Sequence, residues 1–483
     1  MAQAQVDLKK RLNDAFDHPF LRKAVGSATN TLRDRKRKVS DDLGHWEEWR
    51  KLGAQIRHHV IDNLDVYLHQ FSQNIQAQGA QVHWAVTGQE ALDIFQNIVS
   101  KHQAKLVVKS KSMVSEELHV NQLLEDLCVK VVETDLGEYI IQLAGETPSH
   151  IIVPAIHKTR QEVAALFEKD SQEKQVADTA ALTQYARRKL RRLFMEADVA
   201  VSGCNFAVAD AGAVCLFTNE GNGRLVTTVP PVHVVFMGME RVVPSFQELE
   251  VMARLLPRSA TGQKLTSYLS VIRGPRGVGE EDGAQEMHVI IVDNGRSRLL
   301  ADPIYKEVLR CIRCGSCLNT CPVYRQIGGH AYGWVYSGPI GAVLTPLLHE
   351  NLSDWGETVG LSTLCGACTE TCPVRIPLHE MLLQLRAQRV EAGVTPSLEK
   401  SAFKLWASTW SRPSLYRLAI KGAYYGQKAY LKDGHLEGGP PPLSYWTNSR
   451  YFPPIAEKSF RQRWQEGKLE VDRNEASLTK GDQ

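Results

Sequence analysis

The sequence has no uncharged apolar run of about eighteen residues, the length a membrane-crossing helix needs. Met1 to Arg11 is polar and charged where a secretory leader would be apolar. Both absences lead us to expect a cytoplasmic protein without a transmembrane segment, with peripheral contact to a membrane left open. Charge of one sign is also missing: 57 Lys and Arg against 54 Asp and Glu leave a net +3. That balance, with no helix-turn-helix and no basic stripe, argues against a nucleic-acid partner. A dinucleotide fingerprint is absent too. The glycines Gly274, Gly277 and Gly279 precede acidic residues instead of opening a helix. Flavin or nicotinamide chemistry would therefore have to come from elsewhere.

Cysteine is present but unevenly placed: seven of the ten lie between residues 311 and 372. The first run is Cys311-Ile-Arg-Cys314-Gly-Ser-Cys317-Leu-Asn-Thr-Cys321-Pro322, the spacing bacterial ferredoxins use for a [4Fe–4S] cluster. The second is Cys365-Gly-Ala-Cys368-Thr-Glu-Thr-Cys372-Pro373, with Ser362 where its first cysteine would stand. Three thiolates two residues apart wrap one corner of a cubane, and the fourth points away to the other cluster. The expected ligands are Cys311, Cys314, Cys317 and Cys372 for cluster one. Cluster two takes Cys321, Cys365 and Cys368. A zinc ribbon is the alternative for such pairs, and a reducing compartment argues against disulfides. The vacancy at Ser362 could be filled by serine oxygen, water or a distant cysteine. It could equally mark a three-iron cluster, or an open iron that binds substrate. The remaining Cys128, Cys204 and Cys215 read as small core residues.

The length suits two or three domains. Residues 1–60 read as a helical arm with a solvated basic run, Arg33 to Lys38, and with Trp46 and Trp49 as packing anchors. Residues 61–298 alternate helix and strand, an α/β pattern with a largely parallel sheet. Val60 to Ala77 reads as one amphipathic helix. Thr87 with Glu90 makes a capping-box signature. Strands are expected at 82–86, 106–108, 129–132 and 150–153, and Met287 to Val292 is expected to close the sheet. Val214 to Phe217 and Leu225 to Val229 read as a hairpin joined by Asn219-Glu-Gly-Asn-Gly223. Residues 299–395 form a helical two-cluster domain, and residues 396–483 an irregular aromatic tail ending in a disordered stretch.

Ligands in open α/β sheets bind beyond strand C-termini, which makes Lys109 a candidate for a carboxylate or phosphate. Asn205, Asp210, Glu220, Asn222 and Arg224 are polar residues in an otherwise apolar stretch and are candidates to line a small-molecule pocket. A Glu220–Arg224 pair that merely locks a turn is the plainer reading. Arg310, Arg313, Arg325 and Arg375 surround the cysteines and should favour a reduced, more anionic cluster. The aromatic insert 328–334 either covers a cluster or presents Tyr332 and Trp334 to a partner.

The stretches Asn205-Phe-Ala-Val-Ala-Asp-Ala-Gly and Asn219-Glu-Gly-Asn-Gly-Arg resemble the lactate-utilization (LUD) domain. With the split cluster pair and the tail Leu443-Ser-Tyr-Trp446…Phe452-Pro-Pro454…Phe460…Trp464, nearly the whole chain resembles the lactate utilization protein B family. The resemblance implies an isomerase/CoA-transferase-like open α/β sheet, two [4Fe–4S] clusters on the cysteines named above, and an electron-transfer subunit of a complex oxidising L-lactate to pyruvate. It also implies two partners, a cysteine-rich lactate utilization protein A-like subunit and a protein C-like LUD subunit. A catalytic role would instead place the carboxylate of L-lactate on Arg224 or Lys109, with Asp210 or Glu220 as base. A redox-sensing scaffold is the third reading.

Overall fold

The computed structural model describes residues 7–441, 443–447 and 449–466. The chain forms two compact units, one ending at Val394 and the other beginning at Thr395. The larger unit is built on a six-stranded, wholly parallel sheet. Its spatial order is Gln81–Ala85, Glu286–Val292, Val232–Gly238, Val199–Ser202, Leu106–Lys109, Lys130–Glu133. A parallel sheet needs cover on both faces, so its inner strands are mostly apolar on both sides rather than alternating. Val232–Gly238 is buried along its whole length. Val232, Val234 and Phe236 face one layer, with Phe95 and Leu124. Val235 and Met237 face the other, with Phe71 and Ile75. A smaller four-stranded sheet runs Val242–Val243, Phe206–Val208, Ala213–Thr218, Tyr268–Ile272.

Several elements depart from the expectations above. The helix expected over 60–77 is two, Trp46–Asp62 and Leu64–Gln76. Asn63 breaks it by donating its side-chain amide to the His59 carbonyl (2.8 Å), a competing local bond. The expected hairpin does not form. Ala213–Thr218 pairs antiparallel with Phe206–Val208 and Tyr268–Ile272, while Asn222–Thr228 is a helix. The Asn222 amide holds that helix start by donating to Thr134 Oγ1 and Asp135 Oδ2. Short apolar runs such as 225–229 do not declare their period. His150–Val153 is a turn rather than a strand, because His150 Nδ1 accepts the N–H groups of Ile152 and Val153. Glu286–Val292 lies inside the sheet rather than closing it. Cys128 is exposed, not a core residue.

The arm comprises helices Leu8–Asp17, Leu21–Leu43 and Trp46–Asp62. Trp49 packs under the Arg254 guanidinium, 5.1 Å from ring centre to charge. The second unit is more regular than an irregular tail. It carries two 14-residue helices, Ser397–Trp410 and Pro413–Gly426, neither with a buried residue. Arg473 to Gln483 lies outside the described residues. No described helix is long and apolar enough to cross a membrane.

Candidate metal centre and the adjoining cleft

The two cysteine runs are brought together by paired short helices. Each run makes a left-handed turn at its internal glycine, Gly315 (φ 70°) and Gly366 (φ 79°), and then enters a five-residue helix. Those helices, Ser316–Thr320 and Ala367–Thr371, touch through the hydroxyls of Ser316 and Thr371, 3.1 Å apart. A small cavity between the runs is lined by Cys311, Cys314, Cys317 and Cys372, with Ile151, Arg313 and Ile340 among its other walls. Cys314 is pushed up to about 12 by burial first and by Cys372 second. Cys317 is pushed up by burial and by Cys314, Cys311, Cys368 and Cys372. Thiols crowded this closely repel as thiolates, and a bound cationic metal relieves that repulsion. The donor set is soft sulfur, which suits iron–sulfur or zinc.

Cys321, Cys365 and Cys368 form the second group. Burial raises Cys321, with Cys365 adding to the effect, and holds Cys368 at about 11, where Cys321 is the next cause. Cys365 is exposed, and its thiol is lowered by the Ala367 N–H and then by Thr363. The Tyr332 hydroxyl is buried beside Cys321 with no oxygen or nitrogen partner among the described residues. A buried hydroxyl whose one partner among the described residues is the Cys321 thiol suits a sulfur-rich group that accepts its hydrogen bond. The residues present therefore fit iron–sulfur clusters.

Cations surround the first group. Lys36, from the arm, donates from Nζ to Ser316 Oγ (2.7 Å), Thr371 O (2.6 Å) and Thr371 Oγ1 (2.8 Å). Burial lowers it to about 8 against the pull of Cys314 and Cys372. Arg50 donates to the carbonyls of Cys372 and Thr369. Arg57 donates to the carbonyls of Leu309, Arg310, Glu240 and Val242. Sequence reasoning missed these three and Arg241. The signal was there for two of them. Arg50 and Arg57 share the buried stripe of their helix with Gly53, Ala54, Val60 and Ile61, where an unpaired arginine would be costly. Of the arginines near the runs, Arg313 lies 4.2 Å from the Tyr336 ring and 3.5 Å from Glu240. Its Nε and Nη1 have no acceptor among the described residues. Arg310 pairs with Glu307, Arg325 with Thr29 and Asn30, and Arg375 with Glu47.

A larger cleft opens beyond the C-terminal ends of three adjacent strands of the parallel sheet. Ser110, Lys111 and Ser112 follow the first, Asp135 the second, and Gly203, Cys204 and Asn205 the third. Its remaining wall includes Phe217 to Glu220, Arg241, Ile151 and Arg313. Ile151 and Arg313 line both this cleft and the cysteine cavity.

Of the six pocket candidates, the structure brings Asn205 and Glu220 to the cleft. Asn205 Oδ1 accepts the Phe217 N–H (2.9 Å). The Glu220 carboxyl is raised by burial first and by Asp135 second, and accepts the Leu136 N–H. Lys109 is buried behind the cleft, its Nζ donating to Glu133, Glu116 and Asn121. Burial would lower Lys109, but Glu133 and Glu116 raise it. Asn222 is buried on Thr134 and Asp135. Asp210 is exposed, and its carbonyl accepts from Asn74. Arg224 is exposed over the Tyr268 ring at 5.6 Å.

Three protein families match successive parts of the chain. The LUD domain family matches residues 68–292, a 4Fe-4S dicluster domain matches 307–376, and the lactate utilisation protein B C-terminal family matches 387–468. Lactate utilization protein B of Bacillus licheniformis is 48% identical, covering 96% of this chain and 97% of its own. The Bacillus subtilis protein of that name is 46% identical and covers 98% of each. Geobacillus kaustophilus has one 47% identical, over 94% of this chain and 96% of its own.

Proposed function

This chain belongs to the lactate utilization protein B family, and on that premise we propose that it is the iron–sulfur electron-transfer subunit of a complex that oxidises L-lactate to pyruvate. The observation that carries the reading is the shared wall: Ile151 and Arg313 stand between a sheet-end cleft and the cavity of four cysteines. In this reading Cys311, Cys314, Cys317 and Cys372 hold one [4Fe–4S] cluster, and Cys321, Cys365 and Cys368 hold a second. Such clusters supply single-electron transfer. The protein side supplies charge and exclusion of water. Lys36, Arg50 and Arg313 offset the thiolates, while Tyr324, Tyr332 and Ile340 are buried around them. Lactate oxidation releases two electrons and two protons, and no flavin or nicotinamide fingerprint is present, so the hydroxy-acid chemistry falls to a partner subunit. The partners in this reading are a protein A-like cysteine-rich subunit and a protein C-like LUD subunit, met in the cytoplasm. The exposed Phe403, Trp406 and Trp410 of the second unit offer apolar surface for such contacts.

A second reading has one observation in its favour. The cleft is lined by two arginines, Arg241 and Arg313, and by a raised carboxyl, Glu220, the residue types a 2-hydroxy acid would require for its carboxylate anchor and its base. One experiment separates the two. The full chain, reconstituted anaerobically, is assayed for lactate-dependent cluster reduction by its visible absorption. The electron-transfer reading expects clusters that dithionite bleaches and lactate does not. Lactate-dependent bleaching by the chain alone, lost in Glu220→Gln, would overturn it in favour of the second reading.

A further inference from the structure

The two cysteine runs are copies of one another at a constant offset: Cys365 follows Cys314 by 51 residues, Cys368 follows Cys317 by 51, and Cys372 follows Cys321 by 51. The same offset carries Cys311 onto Ser362. The backbone obeys it closely. Arg313 and Leu364, each two residues past that position, both stand left-handed at φ 58° and 54°. Gly315 and Gly366 repeat the turn at the next step. The Leu318 N–H bonds to Gly315 O and the Thr369 N–H to Gly366 O, both at 3.0 Å.

The side chains repeat as well. The Arg313 N–H donates to Cys311 Sγ (3.4 Å), and the Leu364 N–H donates to Ser362 Oγ (3.1 Å). An N–H from two residues on therefore fixes the donor atom the same way in both runs. Arginines clamp the turn that leads into each. In the first, Arg57 and Arg241 donate to the carbonyls of Leu309, Arg310 and Cys311. In the second, Arg386 donates to those of Val359, Gly360 and Ser362. Under the offset, the first donor set becomes Ser362, Cys365 and Cys368, and Cys372 exchanges with Cys321. The second group of three is then a group of four.

We infer that Ser362 Oγ is the fourth ligand of the second cluster, and that Arg386 is the positioning residue that holds its turn. The inference rests on the two-cluster reading above. On binding iron the hydroxyl loses its proton to solvent and the oxygen takes the iron as serinate. A hard oxygen among soft thiolates makes that corner the distinct iron of the cluster.

The test uses the full chain reconstituted anaerobically with iron and sulfide, as wild type, Ser362→Ala and Ser362→Cys. Iron and sulfide are counted, and EPR spectra are taken after mild ferricyanide oxidation and after dithionite. The wild type is expected to hold about eight irons and give no three-iron signal. Ser362→Ala is expected to fall to about seven, with a three-iron signal near one spin per chain. Ser362→Cys is expected to keep the wild-type iron content while changing the reduced spectrum. Arg386→Met should move toward the alanine variant without removing a donor. An alanine variant matching wild type in iron content and both spectra overturns the inference, as does a three-iron signal in the wild type itself. Wild-type protein that takes up zinc, or only about four irons, sinks the two-cluster reading instead, so the two failures remain distinguishable.

Discussion

Arg296 shows how much of this fold turns on single buried charges. Its guanidinium is 1% exposed, forks onto both oxygens of Glu117 (3.0 and 2.7 Å), and reaches Glu240 with Nε (2.8 Å). Tyr336 and Asn294 complete the shell of Glu117. Burial alone would raise the Glu240 carboxyl, but Arg296, Arg241 and Arg313 hold it down at about 2. Arg296→Met strands Glu117 as an unpaired buried carboxylate, and we expect a loss of about 3–5 kcal/mol in denaturant titration. Gly329 is fixed by space rather than charge. A Cβ there would lie 1.9 Å from the Ser149 carbonyl oxygen, so Gly329→Ala is expected to lower the melting temperature by several degrees or more. At this scale the sequence declared the cysteines and little else. The glycine pair 328–329 was visible, but its reason is a carbonyl 180 residues away. Asn205 and Glu220 could be singled out as polar residues in an apolar stretch. Nothing local separated them from Asp210 and Arg224, which do not line the cleft.

Among the elements, the helix Leu21–Leu43 has the largest reach for its apparent blandness. Its run of Arg and Lys looks like a solvated face, yet one member, Lys36, clasps both cysteine helices through Ser316 and Thr371. Period-3.6 reasoning can place Lys36 on a face but cannot say what that face meets. Lys36→Met keeps the aliphatic stem and removes three donated bonds. We expect iron release to a chelator several-fold faster than wild type, with unchanged far-UV circular dichroism. The same limit explains the missing hairpin. Residues 225–229 are apolar and β-branched enough for a strand, and the decision for helix came from Asn222 binding Asp135 across the domain. Legible elements were those whose signals are internal, as at the Thr87 cap, whose hydroxyl accepts the Glu90 N–H.

For the molecule as a whole, acidity should act through buried histidines before it acts through carboxylates. His150 and His233 are each 1% exposed. Burial lowers both to about 4, partly offset at His150 by Asn319 and reinforced at His233 by His288. Folded, they stay neutral. Unfolded, they take up protons below about 6.5. Their contribution is thus whole above pH 6.5 and is lost as pH falls from about 6.5 to about 4, by up to about 3 kcal/mol each. His233→Gln, which retains a partner for Ser202 Oγ at a 2.7 Å site, should flatten the stability curve in that window by one histidine's share. The alternation of helix and strand made the sheet itself foreseeable, but its order was not. Gln81–Ala85 sits at the edge, and its one strand neighbour among the described residues is Glu286–Val292. That neighbour begins 201 residues after Ala85. A ribosome adding about 5–20 residues each second leaves the first strand bare for about 10–40 s. During that interval a strand bearing Val82 and Trp84 lacks the partner it pairs with in the finished sheet. The newborn chain therefore carries an open strand edge through that interval, and its yield is expected to follow translation speed, checked by comparing soluble protein from fast and slow codon versions of the same sequence.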